Sequence, residues 1–169
     1  MVAGLDVFRE YFRVPDILDV KEGSHLTPIP TDEALSSLSA ILMDDDYYNF
    51  TLKNSQLTDG VHIANTEALI CLKAKAYIDL ANRKEQGEDI SSKEIRKHKN
   101  DVFRFAALLA VDVVIELPDT IKLDLQNFSE RIKNELPVNA IFKEMGLAGI
   151  DPGKLPDQLI SSFNLIKPE

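Results

Sequence analysis

The stretch that most constrains the fold runs from Ala68 to Leu109 and reads as two helices joined by a short polar turn. Asn65 or Thr66 caps the first helix, which runs to about Gln86 and is closed by Gly87. Ser91 with Glu94 has the spacing of a capping box for the second. Helices with so short a link usually pack antiparallel. The rest of the chain must therefore build on a helical hairpin.

Downstream, a third helix starts at Pro118 and carries Ile121, Leu125, Phe128, Ile132 and Leu136 on one stripe until Pro137 stops it. A short helix over Val138 to Met145, closed by Gly146, and a last one over Leu155 to Leu165 follow the loop at Asp151. Upstream the pattern is mixed. Asp6 to Arg13 fits a helix or a strand, and Asp16 to Lys21 fits a strand. Glu22 to Pro30 reads as a loop. Thr31 with Asp32 and Glu33 opens a helix through Leu35, Leu38 and Leu42 to about Met43, which Asp44-Asp45-Asp46 ends. Tyr47 to Leu52 favours a strand by composition, with a continued helix as the alternative. Asp59-Gly60 and Val61 to Ala64 suggest a small hairpin with the segment before them.

The reading is an α+β chain, mostly helical: one domain over 1–169, with a mixed portion at 1–64 carrying a small β element and a helical bundle at 65–169. A chain of 169 residues buries roughly 70% of its unfolded surface. Its net charge of −9 argues against general nucleic-acid binding or attraction to an anionic membrane. No apolar run approaches the roughly 20 residues of a membrane span, and the early charges do not fit a signal peptide, so a cytoplasmic location is expected. The single cysteine, Cys71, excludes an intrachain disulfide and reads as a small buried hydrophobe.

Polar residues on the apolar faces of the helix pair are the candidates for chemistry. On a wheel of about 100° per residue, Lys73 falls among Leu69, Ile70, Ala76, Tyr77 and Leu80, while Lys75 lies on the far side. A lysine there snorkels, pairs with a protein carboxylate, or meets a bound anion. On the second helix His98 lies among Val102, Phe105 and Leu109, with Asp101 at the border and Lys97 and Arg104 just outside. Antiparallel packing would let Lys73, His98 and Asp101 converge, as a buried polar network or as a binding site. The pair is locally basic, with nine Lys and Arg against six Asp and Glu, in an acidic chain. That suits a phosphate-bearing ligand or an acidic partner surface, and also an ordinary solvated helix face. Asp44-Asp45-Asp46 is a weaker candidate for a divalent cation, and His25 and His62 lack zinc-type partners. No P-loop, nucleophile elbow or dinucleotide fingerprint is present.

Ala68-Leu-Ile-Cys-Leu-Lys-Ala-Lys-Ala-Tyr-Ile-Asp-Leu followed by Lys97-His-Lys-Asn-Asp-Val-Phe-Arg-Phe resembles the C-terminal half of nucleotidyltransferase-fold proteins of the abortive-infection AbiEii toxin type. Pro15-Asp-Ile-Leu-Asp and Ala34 to Leu42 also resemble bacterial members, so the likeness spans about residues 14 to 130. It implies that Lys73 and Asp101 help hold a nucleotide and its phosphates. The family's second acid on this helix is replaced by Arg104. Its Gly-Ser or Gly-Gly turn with an Asp-x-Asp pair, which holds the two metals of transfer, has no counterpart before Pro15.

The resemblance therefore implies a member without its catalytic half, which another polypeptide would supply if it is not simply lost. A weak nucleotide or phosphate site is expected at Lys73, Lys97, His98 and Asp101. No catalytic residue, resident metal or certain cofactor is assigned; Mg²⁺ with a nucleoside triphosphate would accompany a retained site. The alternative is a non-enzymatic module that binds a protein partner or a second copy, as in a toxin–antitoxin pair.

Overall fold

The computed structural model describes residues 25–27, 41–58, 61–110, 113–135, 137, 140–143, 145–146 and 149–167. The fold is α+β and mostly helical, with small antiparallel sheets followed by helices. The expected segments at 6–13 and 16–21, the start of the helix at 31, and Leu136 lie outside these residues. The chain divides into two compact units, 1–48 and 49–169.

In the first unit, β1 (His25–Thr27) pairs antiparallel with β2 (Ile41–Met43), with Leu26 opposite Leu42. This corrects two expectations: His25 to Thr27 is strand rather than loop, and the end of the expected helix is strand. The Leu35, Leu38, Leu42 spacing is helical, but strand pairing depends on a partner distant in sequence, which local periodicity does not report. The three acids are corrected too. They do not end a helix; they begin one. Asp44 Oδ1 accepts from Tyr47 N at 2.8 Å, and Asp45 and Asp46 occupy the first turn of α1 (Asp45–Lys53). Carboxylates suit that end because they meet unpaired amides and the positive pole of the helix dipole. Tyr47 to Leu52, favoured as a strand, is thus helical.

The second unit begins within α1, which Asn54 closes through bonds from its N and Nδ2 to Phe50 O at 3.0 and 2.9 Å. The expected hairpin follows: β3 (Ser55–Thr58) pairs antiparallel with β4 (Val61–Ala64), with Thr58 opposite Val61. Asn65 then caps α2 (Thr66–Glu85), its Oδ1 accepting from Ala68 N at 3.1 Å. At the other end Gly87 adopts φ 95°, so that Gly87 N and Glu88 N reach back to Lys84 O and Arg83 O. That left-handed closure is why glycine stands there. Ser91 caps α3 (Ser92–Ala106), but its Oγ takes Lys93 N at 3.2 Å rather than the Glu94 amide of a capping box.

α4 (Asp119–Ile132) starts one residue later and ends four earlier than the proline signals suggest, and its stripe of Ile121, Leu125, Phe128 and Ile132 is buried. A short α5 (Ala140–Lys143), a 3₁₀ turn (Pro152–Lys154) and α6 (Leu155–Ser162) complete the order. After α6, Asn164 takes the left-handed conformation at φ 47°, and Leu165 N bonds Ile160 O at 2.9 Å.

α2 is the centre of this unit and packs chiefly against α3, then α4. Its buried positions, Ala68, Ile70, Cys71, Ala74, Tyr77 and Ile78, make a broad arc because it has neighbours on two sides. The arc differs from the expected stripe: Leu69, Ala76 and Leu80 are only half-buried. Small residues at 68, 71 and 74 let the helices approach, and Tyr77 meets Phe128 edge-on at 5.1 Å between ring centroids. Phe103 and Phe128 are fully enclosed, and each such ring removes upwards of 150 Å² from water, a gain of order 2–3 kcal/mol. Among the described residues no helix is long and apolar enough to cross a membrane.

Candidate functional site

Lys73 stands at the α3 edge of the α2 arc, and Lys75 at the α4 edge. Each finds a carboxylate on the helix it faces. Lys73 Nζ lies 2.9 Å from Asp101 Oδ2, and Lys75 Nζ lies 3.0 Å from Asp124 Oδ2. Arg131 of α4 donates to Glu85 Oε1 at 2.9 Å and to Asn82 Oδ1 at 2.6 Å, tying the other end of α2. Lys99 of α3 reaches Glu135, just beyond α4. The basic excess of the helix pair is thus partly spent between helices, while Lys93, Arg96 and Lys97 stay exposed along α3.

Asp101 carries two cations. Besides Lys73 it takes Arg104 Nη1 on Oδ1 at 3.0 Å, one turn along α3. The side chains of Lys73, Asp101 and Arg104 are 28%, 15% and 27% exposed, so the cluster sits at the boundary between core and solvent. Burial by itself would push the Asp101 carboxyl up; the Lys73 ammonium and then the Arg104 guanidinium outweigh it and hold it below the ordinary carboxylate range.

His98 lies one turn before Asp101 and is half-buried. Its Nδ1 is buried and has no hydrogen-bond partner among the described residues. Burial, and next the nearby Lys73 ammonium, lower its pKa against the opposing pull of Asp101. Above its lowered pKa the ring is therefore neutral.

Of the four expected site residues the structure brings Lys73, His98 and Asp101 together. Lys97 stays exposed on α3 and acts on His98 only through its charge. Arg104, placed just outside the face by the wheel, is the residue that reading undervalued. The three-residue step from Asp101 was the available signal, since residues so spaced are neighbours on a helix.

Chemically, the cluster suits holding an anion. Asp101 is engaged as an ion-pair acceptor for Lys73 and Arg104. Cys71 is 1% exposed, and burial, then the charge of Glu67, push its thiol up to about 12, far from the range of a reactive cysteine. Among the described residues no group of three or more His, Cys, Asp or Glu is placed to hold a metal ion, Asp44 to Asp46 included. Set against known proteins, the chain matches no family model, no curated protein and no solved structure.

Proposed function

We propose that this chain is a nucleotidyltransferase-related domain that holds a phosphate group of a nucleotide on the α2–α3 pair and does not carry out transfer by itself. The observation that supports it is the meeting of cations at the α2–α3 edge: Lys73 and Arg104 both reach Asp101, and His98 lies one turn before it on α3. A phosphate oxygen offers a further acceptor to the partly exposed Lys73 ammonium, and charge-assisted bonds of this kind are among the strongest a surface site makes. Lys97 lies at the rim and adds long-range attraction. Mg²⁺ would arrive with a nucleoside triphosphate and not through protein carboxylates.

Isothermal titration with nucleoside triphosphate and Mg²⁺ tests this. Saturable heat is expected for the wild type, with affinity falling at least about tenfold in Lys73→Ala, the scale of one lost charged hydrogen bond. No heat, or equal heat from Lys73→Ala, overturns it.

A second reading, a protein-binding or self-associating module such as half of a toxin–antitoxin pair, draws on a different observation. Leu57 and Ile63, on the paired strands of the β3–β4 hairpin, are 66% and 55% exposed. Two-stranded hairpins are marginal in water without support, and exposed large apolar side chains on one invite a covering surface. Light scattering that finds a strict monomer, with no partner co-purifying, counts against this reading.

A further inference from the structure

A second concavity of the helical unit is remote in sequence from Lys73, His98 and Asp101. α4, α6 and the tail after α6 border a cavity of about 200 Å³. Its deepest walls are apolar: Ile132 from α4 and Leu159 from α6 are buried, and Ile160 joins them. Ser129, itself 7% exposed, supplies the one side-chain hydroxyl of the lining. The tail is strapped in place. Gln126, one turn before Ser129 on α4, donates from Nε2 to Ile166 O at 2.8 Å and accepts from Ile166 N on Oε1 at 2.8 Å. Leu165, the residue before, is buried. This paired bond brings Lys167 to the lining, where it meets Asp157 of α6 at 2.8 Å. The site is thus built in advance, which spares a ligand the cost of ordering its walls.

Volume and charge decide what would enter. A cavity of about 150 Å³ walled by aliphatic and aromatic side chains holds a benzene molecule, so this one has room for a single ring and one substituent. The charged side chains of the lining are Lys133, Asp157 and Lys167. Lys167 is engaged with Asp157, and Lys133 has Glu130 at 3.8 Å among its partners. A charged ligand of either sign would meet a like charge there and would have to displace a partner already in place. A neutral ligand leaves these pairs standing and gains by removing the apolar walls from water. Ser129 both donates and accepts, so it can orient a hydroxyl on such a ligand. We infer that the cavity binds a neutral molecule of about the size of one aromatic ring, its apolar body against Ile132, Leu159 and Ile160 and a hydroxyl on Ser129.

The test is nitrogen–proton correlation spectroscopy of the full chain titrated separately with phenol, toluene and benzoate. Phenol and toluene are expected to shift the amides of Ser129, Ile160 and Lys167 in a saturable way. Benzoate, with the same ring and a charge, leaves these amides in place. Ser129→Ala, which adds no bulk, weakens phenol about fivefold, the scale of one hydrogen bond, and leaves toluene unchanged. Absence of the phenol shifts overturns the site. Benzoate shifting the same amides as strongly overturns the neutral ligand. Equal phenol affinity in Ser129→Ala overturns the hydroxyl contact. None of these outcomes depends on whether a nucleotide binds at α2 and α3.

Discussion

Lys73 Nζ on α2 and Asp101 Oδ2 on α3 meet at 2.9 Å, and the other oxygen of that carboxylate is held by Arg104 at 3.0 Å. The pair is intermediate between an exposed ion pair, worth under about 1 kcal/mol, and a buried one, whose breaking costs about 3–5 kcal/mol. A double-mutant cycle of Lys73→Ala and Asp101→Ala, followed by urea unfolding, is expected to return a coupling energy of about 1–2 kcal/mol. A coupling near zero would mean that the two groups are held apart in solution. Because Asp101 also competes with any anion for both cations, Asp101→Asn is expected to raise phosphate affinity while lowering stability.

His98 and Asp101 both have depressed pKa values, and the sign of their effect on stability follows from that. In each case the unfolded chain binds the proton more readily, so stability rises with pH across the window. For His98 the contribution is complete above about pH 6.5, its unfolded value, and is lost as pH falls through the lowered folded value. Wild type should therefore lose stability more steeply than His98→Gln as pH falls below about 6.5, measured by urea midpoints. For Asp101 the contribution is complete above about pH 4 and is lost below it, so the stability gap between wild type and Asp101→Asn should close in acid.

Phe128 is fully enclosed, while Leu123 on the same helix is 61% exposed. Phe128→Ala removes the edge contact with Tyr77 and leaves a cavity, at an expected cost of about 3–5 kcal/mol. Leu123→Ala should stay within about 0.5 kcal/mol. Thermal or urea unfolding of the two variants separates these values; similar costs would contradict the burial pattern of α4.

Cys71 should resist thiol reagents in the folded protein. It is 1% exposed and its thiol is pushed up to about 12, so neither access nor thiolate is available near neutral pH. Iodoacetamide labelling followed by mass spectrometry should appear only as urea unfolds the chain, and rapid labelling in native buffer would be the opposite result.

Much of the helical unit can be read directly from local chemistry. Asn65, Gly87 and Ser91 mark helix ends because capping and left-handed closure involve residues only a few positions apart. The α4 stripe is equally plain, since one buried face on a helix with one main neighbour leaves a clean period. α2 was harder. With neighbours on two sides its buried arc is wide, and the wheel centred it on Leu69 and Leu80 instead of Ala68, Cys71 and Ala74. The three acids at 44–46 open a helix instead of ending one, because a helix C-terminus repels carboxylates and an N-terminus attracts them. Arg104 departs from the family's motif, and its step of three from Asp101 is the local signal that makes the two neighbours on α3.

By itself, then, the sequence determined the caps of the helices that follow Asn65 and Ser91, that Lys73 and Asp101 lie on faces able to meet, and that Val61 to Ala64 forms a hairpin with the segment before it. These follow from interactions within a few residues. Only the tertiary structure decided that β1 pairs with β2, that Lys75 answers to Asp124 while Lys73 answers to Asp101, and that Asp101 takes both Lys73 and Arg104. Each of those depends on segments distant along the chain, whose approach is set by the packing of whole elements and leaves no period or cap to read.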